Sequence, residues 1–252
     1  MSLLQGLDVT TDISADTDYV GTGGIWESGL YDTKVKMAYL ALAKSNALGV
    51  VLILETASGK TLKTTQYVKS GNAKGNKNYY ERKGEKHYLP GFNIINNLCL
   101  LTVGKNMSEL TPEIKVVPIY DFTAKKELPQ EVEVLTELLG QDCIAGVLKK
   151  TSNKQAKNAS GVYADTNEER SENEVDKIFR ASDRLSTVEI LAGETTAAYI
   201  DVWTKANEGK TRNTFKAIPD KPGAGGSGTS AGAGASATAS APVQNIFATP
   251  SA

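Results

Sequence analysis

Basic and aromatic residues are concentrated between residues 60 and 86. This stretch holds eight Lys or Arg residues against two Glu residues, which gives it a charge of +6 in a chain whose net charge is −1. Four of the ten tyrosines lie in or directly beside it: Tyr67, Tyr79, Tyr80 and Tyr88. Cations can hold phosphate groups while aromatic rings stack on unpaired bases, so the pattern favours binding of a single-stranded nucleic acid. A solvated lysine-rich loop, with tyrosines that pack on the domain, is the alternative interpretation.

The candidate binding residues fall into two basic groups and one aromatic group. We predict phosphate contacts from Lys34, Lys36, Lys63, Lys69, Lys74, Lys77, Arg82, Lys83 and Lys86. A second basic edge is predicted at Lys149, Lys150, Lys154 and Lys157. Base stacking is predicted on Tyr67, Tyr79, Tyr80 and Tyr88.

The sequence lacks the residues that several common types of catalytic site require. His87 is the only histidine, and Cys99 and Cys143 are the only cysteines, so a zinc site of the usual Cys/His type is not expected. The two cysteines are far apart among apolar neighbours, which is typical of buried free thiols in a reducing cytoplasm. The Ser-Gly-Lys-Thr run that ends at Thr61 resembles the end of a phosphate-binding loop, but Leu54 stands where that motif needs glycine. We therefore predict no catalytic residues, cofactor or metal.

A metal-dependent nuclease is the enzyme class that stays open as an alternative. Glu113-Ile114-Lys115 has the Glu-x-Lys spacing that some nucleases use, and carboxylates alone can hold the metal. No Asp occurs between Asp32 and Asp121, so the upstream carboxylate would have to be Glu55.

Hydrophobic periodicity predicts a mainly β domain with a helix in its middle. Strands are predicted over residues 30–43, 50–54, 62–69, 114–122 and 143–150, and helices over 92–103, 134–139 and 194–207. Residues 72–84, rich in Gly and Lys, are predicted to form a long exposed loop. In the first strand the alternation gives one shared face to Tyr31, Thr33, Val35, Met37 and Tyr39. In the third strand it gives one polar face to Lys63, Thr65, Tyr67 and Lys69.

Composition divides the chain into one folded unit, residues 1–220, and a tail, residues 221–252. The tail is dominated by small residues and cannot bury enough apolar surface to offset its chain entropy, so we expect it to be flexible. Several strands joined by turns fit a small closed β-barrel with additions, of which the oligonucleotide-binding fold is one example. No signal peptide or apolar stretch of membrane-spanning length is apparent, so we expect a cytoplasmic protein with no membrane contact.

Several short segments, in order along the chain, together resemble one protein family. They are Glu27-Ser28-Gly29-Leu30-Tyr31, Asn78-Tyr79-Tyr80-Glu81-Arg82-Lys83-Gly84, Leu89-Pro90-Gly91-Phe92 with Asn97-Leu98-Cys99-Leu100-Leu101, and Gly161-Val162-Tyr163 before Glu169-Arg170. Over roughly residues 1–215 the chain resembles the single-stranded DNA-binding proteins of tailed bacteriophages. The resemblance implies an oligonucleotide-binding barrel that coats unpaired DNA during phage replication or recombination in the infected cell.

Many such proteins recruit replication enzymes through an acidic tail with an apolar tip. This tail has the apolar pair Ile246-Phe247 but no acidic residue. Acid-rich segments lie instead at residues 1–33 and 163–189, which are candidates for contacts with replication or recombination proteins.

The sequence thus predicts a non-enzymatic protein that binds single-stranded DNA with little sequence preference. A strand-annealing or RNA-binding module, the nuclease above and a structural protein with merely solvated basic loops remain the alternatives.

Overall fold

The computed structural model describes residues 24–121, 123–157 and 161–218. The predicted tail lies outside these ranges. Half of the described residues are in strands, which confirms the mainly β class with added helices. The strands in these ranges are β1 (Gly29–Leu42), β2 (Leu48–Thr56), β3 (Thr61–Lys69), β4 (Tyr79–Arg82), β5 (Glu85–Tyr88), β6 (Glu113–Asp121), β7 (Lys126–Val134), β8 (Asp142–Lys157), β9 (Tyr163–Arg180) and β10 (Thr211–Asn213). The α-helices are α1 (Pro90–Val103), α2 (Thr187–Leu191) and α3 (Tyr199–Asn207), and single 3-10 turns lie at Asn72–Lys74, Met107–Glu109 and Thr136–Leu138.

One antiparallel sheet forms the body, with the strand order β9-β8-β1-β2-β3. The short β10 joins β8 in parallel beyond the end of β1. The β6–β7 hairpin is attached to β1 through the pair Tyr39 and Val134. The separate β4–β5 hairpin follows β3 along the chain.

The sheet is not closed into a barrel, so the closed-barrel expectation is wrong. Within the described residues no ladder joins the two outer strands, β3 and β9. Helix α1 packs against both of these strands. Gly91 allows this close packing, because a Cβ at that position would lie 2.5 Å from the backbone oxygen of Tyr67. The helix thus occupies the seam that strand pairing would otherwise close.

The main core lies between this curved sheet and α1. Val50, Leu52 and Leu54 of β2 pack with Ile95 and Leu98 of α1. The predicted buried strand at residues 50–54 and the predicted helix at 92–103 are both confirmed. In the described ranges no helix has the length and apolar character needed to cross a membrane.

A β-bulge at Lys36 corrects the predicted shared face of β1. Val35 pairs with Leu54 but Met37 pairs with Ile53, so Lys36 is an extra residue that inverts the alternation. Val35 therefore packs in the main core, whereas Tyr39 packs in a second cluster with the β6–β7 hairpin.

Other predictions of local structure also differ from the structure, mostly because strand pairing extends further than the sequence suggested. The predicted loop at residues 72–84 contains the 3-10 turn at Asn72–Lys74, and from Tyr79 onwards it belongs to the β4–β5 hairpin, which is largely exposed. Strands β7 and β9 were not predicted, because their charged residues hid the alternation. Residues 134–139 end β7 and form a 3-10 turn, and α3 begins at Tyr199 instead of residue 194.

Candidate nucleic-acid interface

Strand β3 presents the polar face that its alternation predicts. Lys63, Thr65 and Tyr67 are exposed, while Leu62 and Val68 are buried in the main core. The Tyr67 ring lies against Gly49 of β2, with ring carbons 3.6 Å from where a Cβ on Gly49 would be. Because Gly49 has no side chain, the ring is supported by the sheet and is still 52% exposed. A supported, half-exposed ring is a platform on which a base can stack.

The β4–β5 hairpin turns at Lys83 and Gly84, whose φ angles of 53° and 82° suit a two-residue turn. This turn places the flanking tyrosines in defined positions. Tyr79 is enclosed by two lysines, with the Lys77 and Lys86 Nζ atoms 5.2 Å and 5.1 Å from its ring centroid. These cation–π contacts make Tyr79 the tyrosine of the hairpin that is least available to a base.

The other two tyrosines of the hairpin keep accessible rings. Tyr80 is 42% exposed, and its ring centroid lies 5.5 Å from that of His87. Tyr88 is 56% exposed and stacks on Phe92 of α1 at a centroid distance of 4.8 Å. Each ring is supported by a neighbouring ring, which limits the rotamer entropy that stacking on a base would cost.

Two adjoining grooves connect β3 with the hairpin. The first, of about 1010 Å³, lies between residues 61–67 on one side and Lys150, Gln155 and residues 170–174 on the other. The second, of about 470 Å³, is lined by the hairpin, by the first turns of α1 and by β9. Gln66 and Glu174 line both grooves, so one continuous surface runs from the open seam of the sheet to Tyr80 and Tyr88.

The predicted cations of β3, of the following 3-10 turn and of the β4–β5 hairpin are largely free of acidic partners. Lys63, Lys69, Lys74, Arg82 and Lys83, which we call the unpaired cations, form no ion pair with any residue in the described ranges. Lys77 has only a long contact, 3.9 Å from Glu81 Oε1. These side chains can bind phosphate without first breaking a salt bridge.

The cations predicted on β1 have carboxylate partners. Lys34 Nζ lies 2.7 Å from Asp142 Oδ1, and Lys36 Nζ lies 2.6 Å from Glu55 Oε1. Phosphate binding there would compete with an existing ion pair, so these two lysines are the weaker candidates.

The second basic edge is also neutralised, mostly by β9. Lys149 pairs with Glu27 at 2.7 Å and Lys154 pairs with Glu168 at 2.6 Å, while Lys150 lies 3.8 Å from Glu172 and 3.6 Å from Glu174. The hydrogen bond from Lys154 lowers the pKa of the Glu168 carboxyl. Lys157 differs, because its Nζ lies 5.5 Å from the centroid of the exposed Tyr163 ring.

Several residues of this surface were not predicted. Gln66, Asn93 and Asn97 line the grooves, and His87 and Phe92 support the tyrosine rings. The tyrosine and lysine pattern pointed to β3 and the β4–β5 hairpin, but no sequence signal connected α1 to these strands.

The carboxylates of the nuclease alternative are engaged elsewhere. Glu55 is bonded to Lys36, and Glu113 accepts hydrogen bonds from Lys115 and Thr136, which lower its pKa. Among the described residues no group of three or more His, Cys, Asp or Glu side chains could hold a metal ion.

Both cysteines are buried free thiols, as predicted. Burial raises the pKa of Cys99 to about 12 and that of Cys143 to about 11, so both remain protonated at neutral pH.

The chain was compared with models of known protein families, with curated proteins and with solved structures, and none of them matches it.

Proposed function

We propose that this protein binds single-stranded DNA with little sequence preference and coats it. The main support for the proposal is that the unpaired cations occur together with three supported, exposed tyrosine rings on β3 and the β4–β5 hairpin. Lys63 and Tyr67 belong to one strand face, and the hairpin repeats the same combination with Arg82, Lys83 and Tyr80.

The cations and the tyrosine rings would contribute to binding in different ways. Lysine and arginine side chains attract phosphates irrespective of sequence, and release of counterions supplies most of the affinity. The tyrosine rings stack on bases of any type, because every base has a π face. A duplex hides these faces inside its own stack, so stacking favours unpaired strands over paired ones.

The fold plan also supports the proposal. A β1–β2–β3 meander, a helix after β3 and a β8–β9 hairpin that returns to β1 are consistent with a partly open oligonucleotide-binding barrel. In that architecture the surface of the second and third strands contacts the nucleic acid. Here that surface carries Lys63 and Tyr67, and α1 lies in the seam. We therefore propose an oligonucleotide-binding fold that is open between β3 and β9.

The biological setting follows from the resemblance to phage single-stranded DNA-binding proteins. We propose that the protein protects unpaired DNA during phage replication or recombination, with proteins of those processes as its partners.

A gel-shift assay with labelled single-stranded and duplex DNA of equal length, with and without Mg²⁺, tests the proposal. We expect a shift of the single strand at lower protein concentration than of the duplex, and no cleavage with Mg²⁺. Cleavage that requires Mg²⁺ would favour the nuclease, and tighter binding of an RNA strand would favour an RNA-binding module. If no shift is observed, the remaining alternative is a structural protein whose basic loops are only solvated.

A further inference from the structure

Two asparagines of α1 line one of the grooves. Asn93 and Asn97 are one helical turn apart, so they lie on the same face of α1, and both line the 470 Å³ groove. Neither amide hydrogen-bonds to any residue in the described part of the chain. Asn96 is a useful contrast, because its Oδ1 accepts a 2.8 Å hydrogen bond from the Met107 backbone N–H. The amides of Asn93 and Asn97 are therefore available to a ligand.

The walls of the same groove are aromatic. Tyr80, His87 and Tyr88 line it together with the first turns of α1, and Tyr88 is held by its stack on Phe92. The charged residues of its lining are two lysines and two carboxylates, Lys86, Lys177, Glu174 and Asp176. The volume lies within the range of roughly 300–1,000 Å³ that is usual for small-molecule sites. An aromatic wall facing free amides is suited to a flat ring that has hydrogen-bonding groups at its edge.

We infer that this groove receives one unpaired nucleobase, whose edge is read by the Asn93 and Asn97 amides while its face packs on Tyr80 or Tyr88. The inference rests on the proposed function and deepens it, because it adds a base-reading subsite to a surface otherwise specified by charge and stacking. An amide offers one donor group and one acceptor on the same plane, which matches the mixed donors and acceptors of a base edge.

The rigidity of α1 makes such reading effective. Ile94, Ile95 and Leu98 anchor the helix in the main core, and Gly91 fixes its start against Tyr67. The two amides are thus held on a packed element at a defined distance from the tyrosine walls. Binding should consequently differ between base types, because a base with the wrong edge leaves amide groups unpaired.

The test is a set of fluorescence titrations of the full chain with equal-length oligo(dA), oligo(dC) and oligo(dT), and with an abasic oligomer that has only the sugar-phosphate backbone. The variant is Asn93→Ala with Asn97→Ala. Because alanine has a higher helix propensity than asparagine, this change should preserve α1, and a thermal melt checks it. Gln130→Ala is the control, since this residue is exposed on β7 and does not line the groove.

For the wild type we expect affinities that differ by roughly tenfold between the best and worst homopolymer, as two hydrogen bonds allow. The double variant should reduce this spread to less than about twofold, in line with the loss of both bonds, and should bind the abasic oligomer as the wild type does. The control should keep the full range of affinities among the homopolymers.

If the double variant keeps the wild-type range, or if the wild type binds all homopolymers equally, the inference is overturned and the proposed function still stands. A wild type that binds none of the four oligomers would overturn both.

Discussion

The tyrosines of this chain differ in what supports their rings, and we propose that their roles differ accordingly. Tyr39 is 4% exposed and packs in the second cluster between β1, β2 and the β6–β7 hairpin. Tyr80 is about half exposed beside His87 and lines a groove. The same residue type is therefore part of the core in one case and, as we propose, a stacking platform in the other.

Replacing each of these tyrosines by alanine should separate the two roles. Tyr80→Ala should weaken binding of single-stranded DNA by about 1–3 kcal/mol through loss of stacking, with an unchanged melting temperature. Tyr39→Ala should instead lower the free energy of unfolding by about 3 kcal/mol, because it opens a cavity in a packed cluster. The DNA affinity of each variant is measured by anisotropy titration, and its free energy of unfolding by urea unfolding. Wild-type DNA affinity of the Tyr80 variant would show that this ring is only structural.

The sequence predicted the exposure of a side chain where one strand decides it, but it did not predict which cations have carboxylate partners. The exposure of Lys63 and Tyr67 follows from the alternation within β3 alone. The carboxylate partners of Lys34 and Lys154 lie on neighbouring strands, and that of Lys149 is Glu27, just before β1. These ion pairs join residues far apart in the sequence, so the sequence around each lysine did not predict them.

Among the elements, α1 has the most consequential position because it fills the seam between β3 and β9. Helical periodicity predicted the helix, but its contact with the Tyr67 backbone depends on Gly91 and on the order of the strands. The same tertiary pairing explains why β7 and β9 were missed. In β9 several carboxylates have cross-strand partners on β8, as Glu168 has in Lys154 and Glu172 has in Lys150.

Gly91→Ala should destabilise the protein by about 1–3 kcal/mol, because the added methyl group must push α1 away from β3. A Cβ at Gly91 would lie 2.5 Å from the Tyr67 oxygen, whereas a Cβ at Gly29 would have no neighbour closer than 3.9 Å. Gly29→Ala is therefore the matched control and should change stability little. Equal urea midpoints for the two variants would mean that α1 is not packed in the seam as described.

Glu189 ties α2 to α3 through a hydrogen-bonded carboxylate. Burial raises its pKa, but hydrogen bonds from Ser186 and from the Ala198 and Tyr199 backbone N–H groups outweigh burial and lower the pKa to about 2. A carboxyl whose pKa is lower in the folded state stabilises the fold above its unfolded pKa of about 4.3, and this contribution is lost as the pH falls towards the folded pKa.

Urea unfolding of the wild type and of Glu189→Gln between pH 7 and pH 2 checks this contribution. We expect the wild type to be more stable by a constant amount above roughly pH 5, and the difference to shrink steadily below that pH. A difference that is the same at pH 7 and pH 2 would contradict the lowered pKa.

At the scale of the whole molecule, positive and negative charges nearly cancel to a net charge of −1, but they are unevenly distributed. The unpaired cations lie on β3, the following 3-10 turn and the β4–β5 turn, whereas most cations of β1 and β8 are matched by carboxylates. The +6 segment was visible in the sequence, but which of the 28 basic residues are unpaired depends on the folded pairing of strands.

The central claim is that the unpaired cations hold the phosphates of a single strand, and a salt titration of two matched variants tests it most directly. One variant replaces Lys63, Lys69, Arg82 and Lys83 by alanine, and the other replaces the ion-paired Lys34, Lys36, Lys149 and Lys154. Each removes four positive charges, so the change in net charge is the same.

For four phosphates the log–log slope of affinity against salt should be about −3 in the wild type, at roughly −0.7 per phosphate. We predict that the first variant loses most of its affinity and has a slope near zero, while the second keeps the wild-type slope. Equal losses in both variants, or a wild-type affinity that does not change with salt, would contradict the account.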